Sequence, residues 1–423
     1  MKGSTMTSDL AQPQAIDSKR MSAVTTRLKD IKYSHRETAR RLGMSDHLLW
    51  KTESLFTRMN RISEARAKQP PQDALDAVID LLFLNIPTPQ KKLGGWLGSE
   101  VVSALEDMRI IRVDDNAAHC DLTLSEFRGL FIASDTMWGT PADEPFVGGA
   151  VLNPIFDSYM FASTFGTRPA KRCLDLCTGS GVLGLHASRA SREVIAVDLY
   201  ERPLEFARFN KALNAISNIE FVQGDMYPGL HGRFDRIVSN PPYLPDDQTA
   251  AGDNFYSGGI SGDALTSRIL EGLDQYLEDD GYCYLLTYLI YNERAGRPGL
   301  TMAPDLWRAR KTPNAIYDVV LLTYDSPFRD LTVTWEHAKF DDAARVEFGP
   351  YVLHKRVNAS RDPGFLRAPS VRETELEVEK LVCELETSLD PQRILKSYGV
   401  KTEDSGAESG GLGDVRGPSA ALI

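Results

Sequence analysis

Cys173-Leu-Asp-Leu-Cys-Thr-Gly-Ser-Gly-Val-Leu-Gly184 is the stretch whose reading decides the fold. An apolar run (Cys173, Leu174, Leu176) stops at a loop of small residues, and helix-permissive residues continue from Val182 to Ala190. That order predicts a buried strand, a tight turn and the start of a helix. Gly179 and Gly181 remove Cβ atoms where a ligand can come close to the backbone. Asp175 stands at the strand's end, an acid facing whatever the loop holds. A Gly-x-Gly turn also serves many nucleotide-binding folds and plain turns, so its weight comes from the strand-like runs after it.

Three such runs end in polar residues. Glu193-Val-Ile-Ala-Val-Asp198 places an acid about twenty residues past the glycines, where doubly wound sheets hold ribose hydroxyls. Ile219-Glu-Phe-Val-Gln-Gly-Asp225 ends in Gly224-Asp225, and Phe234-Asp-Arg-Ile-Val-Ser-Asn240 runs into Pro241-Pro242-Tyr243. Strands and helices alternating at this spacing predict parallel βαβ units, whose ligands lie outside the strands' carboxyl ends. All four endings then face one crevice.

These four motifs resemble the class I S-adenosylmethionine-dependent methyltransferases. The similarity is to the small-domain branch that includes release-factor glutamine and some ribosomal-RNA guanine-N2 methyltransferases. The run Ser257-Gly-Gly-Ile-Ser-Gly-Asp263 is similar to the glycine-rich segment that comes after Asn-Pro-Pro-Tyr in that branch. The resemblance covers residues 145–357 and implies an α/β fold with a Rossmann-like, seven-stranded sheet. Cys177 stands where the branch usually has glycine. Residues before 145 do not resemble the short helical substrate domain of the release-factor enzymes.

The chain has 423 residues, room for two domains and a large core. Its net charge of −11 argues against general nucleic-acid affinity. Five cysteines without metal-ligand spacing suggest a reducing compartment, and the seven histidines include no His-x-x-x-His pair, so no metal is expected. No apolar run reaches membrane-spanning length, so the expectation is a soluble cytoplasmic protein without a membrane partner.

Residues 1–20 read as disordered, and residues 21–140 as a mainly helical auxiliary domain. Residues 1–68 hold 14 Lys and Arg against 7 Asp and Glu, a local positive excess inside an acidic chain. That basic segment can be a solvated helical face, or can meet an acidic partner, RNA, or the acidic body of its own protein. Apolar spacing predicts a helix over residues 73–84, ended by Pro87 and Pro89, and Ser99 can cap another over 100–108. A hairpin over 110–124 comes next, so helices and hairpin together look faintly like a winged helix. Such a module sets substrate choice or mediates a homodimer.

From Phe131 to Phe165 the chain is rich in aromatic and small residues, Trp138, Phe146 and Tyr159 among them. They either pack between domains or form a substrate-facing wall. After Asn-Pro-Pro-Tyr, residues 244–262 make a polar loop long enough for a lid. A helix over 263–277, strands over 282–290, 316–324 and 345–357, and a short helix over 302–311 complete the methyltransferase domain, with the last strand antiparallel. Residues 331–340 fit strand or helix. An acidic helix lies within 370–395, and the Gly/Ser-rich tail 401–423 reads as disordered.

What the resemblance implies for the site agrees with position. Asp175, Cys177, Thr178, Gly179 and Gly181 line the amino-acid end of S-adenosylmethionine, with Asp175 near its ammonium. Asp198 and Leu199 flank the ribose, while Gly224 and Asp225 meet the adenine, and Met226 either packs on the adenine face or is a core methionine. Asn240, Pro241 and Tyr243 are the expected catalytic residues, and Asn240 also borders the cofactor. Pro242, Phe146 and Tyr159 join Asn240 and Tyr243 in holding substrate.

The chemistry selects a planar nitrogen. Its lone pair is delocalised and poorly nucleophilic, and the Asn240 side-chain oxygen with the Pro241 carbonyl can accept both of its N–H groups. Prolines fix that turn and Tyr243 offers a flat face to a flat substrate. The acceptor can be a small molecule, a protein glutamine or a nucleobase. Acidic charge and the unfamiliar amino-terminal half favour a small molecule, such as a biosynthetic intermediate. Competing readings are a S-adenosylmethionine-binding regulator without transfer activity, an NAD enzyme on the same sheet, and a S-adenosylmethionine enzyme that does not transfer methyl.

Overall fold

The computed structural model describes residues 11–44, 54–114, 116–136, 151–154, 156–165, 168–243, 258, 264–292, 315–322, 344–357 and 365–368. The amino-terminal half opens with α1 (Ser18–Asp30), α2 (His35–Arg41) and α3 (Ser54–Ala67). Asp17 and Ser34 cap the first two by accepting backbone N–H groups. α4 (Ala74–Val78) runs on as a π-helical turn over Ile79–Phe83, and every residue from Leu75 to Leu84 is buried. Asp76 and Asp80 on this buried helix are neutralised by Arg41 and Arg66, so part of the basic segment pairs with its own protein's acids.

Next come β1 (Thr88–Pro89), α5 (Gln90–Leu97), α6 (Ser99–Asp107), β2 (Arg112–Asp114) and β3 (Ala117–His119). The three strands form an antiparallel sheet in the order β1-β3-β2, the helix-and-wing succession of a winged helix. A separate hairpin, β4 (Leu122–Phe127) and β5 (Leu130–Asp135), carries the chain to the larger half.

The larger half contains α7 (Phe156–Ala162), β6 (Ala170–Leu176), α8 (Val182–Ala187), β7 (Ser191–Asp198), α9 (Glu201–Leu213), β8 (Ile219–Gln223), β9 (Phe234–Ser239), α10 (Ala264–Tyr276), β10 (Leu277–Asn292), β11 (Ile316–Leu322), β12 (Ala344–Arg356) and β13 (Phe365–Ala368). They build one sheet in the order β13-β11-β12-β10-β9-β6-β7-β8. Strands β6 to β10 are parallel, and β12 is antiparallel to both β10 and β11. The seven expected strands are all here, with the last reversed as expected. The eighth, β13, is four residues lying between Pro363 and Pro369, a stretch that reads as linker. β10 begins earlier than its apolar run because an irregularity between Leu277 and Tyr282, with Asp280 at positive φ, absorbs the acidic residues.

The two halves share packing. Phe206, Phe209 and Leu213 of α9 belong to the apolar core of the amino-terminal half. Asn210 and Asn214, one helical turn apart on α9, bond both backbone groups of Ala133 and Phe131 respectively, satisfying the free edge of β5. Asn210 also donates to Ser180 O in the glycine loop, so the hairpin, α9 and that loop are one hydrogen-bonded unit. Among the described residues no helix is long and apolar enough to cross a membrane. The expected lid, the strand-or-helix segment 331–340, the helices over 302–311 and 370–395 and the tail 401–423 fall mostly or wholly outside the described residues. Residues 11–20, expected to be disordered, are ordered, with Gln14 N donating to Met108 O and α1 starting at Ser18.

Candidate active site

Leu176 of the central strand β6 pairs with Val197 on β7 and Ser239 on β9. Cys177, Asp198 and Asn240 therefore leave the sheet side by side. Ser239 Oγ donates to Leu176 O at 2.8 Å and locks the last pair of strand ends together.

Asp175 sits beneath this edge, fully buried. Its Oδ2 accepts from Thr178 Oγ1 at 2.5 Å and from Gly184 N at 2.8 Å, while Oδ1 has no partner among the described residues. Burial pushes its carboxyl up to about 7, against the pull of those two bonds. A Cβ on Gly184 would lie 2.9 Å from Asp175 Oδ2 and 2.9 Å from Ile219 Cδ1, so only glycine lets α8 close on the sheet here. Asp175 is thus a bracket for the loop from below. With no exposed edge it does not reach the crevice, which corrects the expected contact with the ammonium.

Above it, Cys177 adopts φ 59°, in the left-handed region, which gives its glycine-favouring position a physical reason. Its half-buried thiol is pushed up by desolvation. Thr178 N donates to Val197 O, tying the loop to β7. Gly179, at φ 56°, has nothing within 4 Å of where a Cβ would project, leaving open room over the loop backbone. Asp198, at the end of β7, accepts from Gly179 N at 2.8 Å and from Tyr200 N at 3.1 Å. Burial raises its carboxyl as well. Leu199 beside it is 51% exposed.

Gly224 N donates to Asp198 O, and Asp225 is exposed and ion-paired with Arg268 of α10 at 2.9 Å. An adenine amine would share that carboxylate with Arg268, a residue that sequence reasoning did not single out. Of its two readings, Met226 takes the core one. It is 6% exposed, at φ 68°, and packs in the core cluster of Leu174, Leu176 and Tyr227.

On the other side of the loop, Asn240 and Tyr243 converge on one acid. Asn240 Nδ2 donates to Asp157 Oδ2 at 3.3 Å, and Tyr243 Oη donates to the same oxygen at 3.2 Å. Asn240 Oδ1 is buried and has no hydrogen-bond partner among the described residues. Pro241 is buried, while Pro242 and Tyr243 are half-buried. Asp157 was missed in the sequence, where a lone acid at the start of a short aromatic helix carries no signal. Tyr159, two residues on, is a core residue and no part of a substrate wall. Its ring packs on His35 and Phe127 and its hydroxyl donates to Glu126 O. Phe146 and Trp138 lie outside the described residues.

The residues present suit S-adenosylmethionine. Gly179 leaves open room over the loop backbone, Asp198 keeps lone pairs that ribose hydroxyls would fit, Leu199 and Asp225 are exposed, and Asn240 Oδ1 has no partner among the described residues.

The comparisons agree. Residues 156–287 match the methyltransferase small domain family. Over 226 residues the chain is 31% identical to the ribosomal protein uL3 glutamine methyltransferase of Xanthomonas campestris, covering 49% of this chain and 70% of that protein. It is 27% identical over 149 residues to a putative protein N5-glutamine methyltransferase of Methanocaldococcus jannaschii, covering 34% and 75%. Over 84 residues it is 46% identical to the release factor glutamine methyltransferase of Deinococcus radiodurans, covering 19% and 30%. The chain is an S-adenosylmethionine-dependent N-methyltransferase and belongs to the class I methyltransferase small-domain family.

Proposed function

We propose that the acceptor is the side-chain amide nitrogen of a glutamine in a protein substrate. The observation that carries this reading is the Oδ1 of Asn240 at the carboxyl edge of the sheet, buried and without a hydrogen-bond partner among the described residues. An orphaned acceptor at that depth is unfavourable unless a donor arrives, and a primary amide brings two. The names of the three relatives favour glutamine over a small molecule, so the small-molecule preference drawn from acidic charge is given up. Acidic charge disfavours RNA, but it does not disfavour a basic protein such as a ribosomal one.

S-Adenosylmethionine supplies an electrophilic methyl group on a sulfonium. The chain's contribution is orientation. Asn240 Oδ1 and the Pro241 carbonyl accept the two amide protons, turning the nitrogen lone pair towards the methyl and favouring the less delocalised form. Tyr243 supports the flat amide from one side. A proton is lost only after nitrogen has become cationic, so no dedicated base is needed. The amino-terminal half, joined to the glycine loop through α9, selects which protein presents the glutamine.

The test is to supply methyl-labelled donor with purified uL3, a release factor and the total protein of a lysate, then search labelled proteins for N5-methylglutamine. Asn240→Ala should lower kcat by about 10²-fold or more, roughly 2.7 kcal/mol, with S-adenosylhomocysteine affinity nearly unchanged. Label confined to oxygen, carbon or small molecules, or normal turnover by Asn240→Ala, would reject the reading.

A further inference from the structure

We propose that Asp157 is a positioning residue that fixes which end of the Asn240 amide faces the crevice, and so makes the site select acceptor nitrogens that carry protons. The inference rests on the planar-nitrogen reading above. An amide's two ends have nearly the same shape, so only their partners decide its orientation. A carboxylate has no proton to give. Facing one across 3.3 Å, Asn240 must present its N–H₂, which turns Oδ1 the other way, where it is buried and has no partner among the described residues. Inverting the amide would set oxygen against carboxylate and offer N–H₂ to an incoming N–H₂, donor against donor.

The carboxylate is itself held from several sides. Its Oδ1 accepts from Ser158 N at 2.6 Å and Ser158 Oγ at 3.3 Å, anchoring it to α7. Its Oδ2 accepts from both Asn240 and Tyr243, so one oxygen fastens two members of the Asn-Pro-Pro-Tyr turn. α7 begins within the segment that the hairpin controls. Asp135 at the end of β5 accepts from Val151 N at 2.8 Å, and Asn153 Oδ1 accepts from Ser125 Oγ at 2.8 Å. Asp157 thereby transmits the position of the amino-terminal half to the acceptor amide.

Asp157→Asn keeps size and leaves an oxygen for Ser158, but it can offer N–H₂ to Asn240 and so tolerates the inverted amide. With methyl-labelled donor and the total protein of a lysate as acceptor, it should lower kcat by roughly 10- to 100-fold with the donor's KM within about twofold of normal. Combined with Asn240→Ala it should add less than about twofold, because an orienting group has nothing left to orient. A readout free of the acceptor uses enzyme labelled at asparagine nitrogen and saturated with S-adenosylhomocysteine. The side-chain N–H₂ signals absent in Asn240→Ala should shift and exchange faster in Asp157→Asn. Unmoved signals, or losses that multiply in the double variant, overturn the proposal. Failure of the planar-nitrogen reading shows separately, as normal turnover by Asn240→Ala alone.

Discussion

On the donor side of the crevice, the loop after β6 is tied at almost every residue. Asp175 holds Thr178 and Gly184 from below, Asp198 takes Gly179 N–H, Val197 O takes Thr178 N–H, and Asn210 reaches Ser180 O. Each side has one buried oxygen without a partner among the described residues, Asp175 Oδ1 and Asn240 Oδ1, but on the acceptor side Asn240 and Tyr243 hang on longer bonds to a single carboxylate. The donor is the same in every turnover, so its loop can be finished in the folding of the chain. An acceptor presented by another protein must supply the missing hydrogen bonds itself. The contrast places pre-organisation on one side and selection on the other.

The largest expected effect tests how firmly the donor side is finished. Burial raises the Asp175 carboxyl to about 7, whereas in an unfolded chain it titrates near 3.9. The folded protein therefore holds a proton there that the unfolded chain releases. Its stabilising contribution is full below about pH 4 and is lost as pH rises through about 7, a change of order 4 kcal/mol. Asp175→Asn keeps an acceptor for Gly184 N–H and cannot ionise. Urea unfolding of the ligand-free protein at pH 4.5 and 8 should show the variant gaining on the parent by a few kcal/mol at the higher pH. Other carboxylates are common to both and cancel. Parallel curves would mean that Asp175 is ionised at no cost, and the bracket argument would fail.

Asp198 sharpens the comparison from the crevice side, because it belongs both to the loop and to the donor. Asp198→Ala removes the acceptor for Gly179 and Tyr200 N–H groups as well as the one offered to ribose. S-Adenosylhomocysteine binding should weaken by about 1–3 kcal/mol, the range for buried donors left unpaired. Calorimetry at constant salt reads this directly. Asp198→Asn retains one acceptor and should fall between the two. If Asp198→Ala binds as tightly as the parent, the spare lone pairs of Asp198 hold nothing.

Much of the fold and crevice was legible in the sequence. Apolar runs broken by Gly179-Ser-Gly181, Asp198, Asp225 and Asn240 marked the strands, their order and the crevice, because parallel strands buried on both faces leave a continuous apolar signal that stops at the edge. The winged-helix succession was visible only in part, in the two helices and the turn at Asp114–Asn116, while β1 and α5 went unread and the second hairpin strand is Ala117–His119, not Cys120–Leu124. Depth of side chains was not legible. Asp175 and Asp198 look alike as strand-end acids, yet Asp175 pairs with Ala196 and so lies two register positions inside the edge at which Asp198 stands, deep enough to be fully buried. For Met226 and Tyr159 the sequence left ligand contact and packing both open, and burial places them in the core. Asp157 was invisible because its role depends on a contact with residues more than eighty positions away.

The smallest effect concerns the one departure from the family pattern inside the tied loop. Cys177 holds φ 59°, where a side chain is strained by about 1–2 kcal/mol relative to the right-handed region and glycine is not. Substituting it directly by glycine mixes this relief with the loss of a half-buried thiol and with a more flexible unfolded chain. Comparing Cys177→Gly with Cys177→Ala removes the thiol from both. At an ordinary helical or extended position alanine is the more stable by about 0.5–1 kcal/mol, because glycine loses more backbone freedom on folding. At a left-handed position the order reverses, and glycine should lead by about 0.5–1 kcal/mol in chemical denaturation. S-Adenosylhomocysteine affinity should differ little between the two, since the loop is held by backbone bonds from Asp175, Asp198 and Val197 that neither variant touches. Alanine more stable than glycine would show that the loop relaxes out of the left-handed region when the thiol is gone, and that the donor side is less finished than its hydrogen bonds imply.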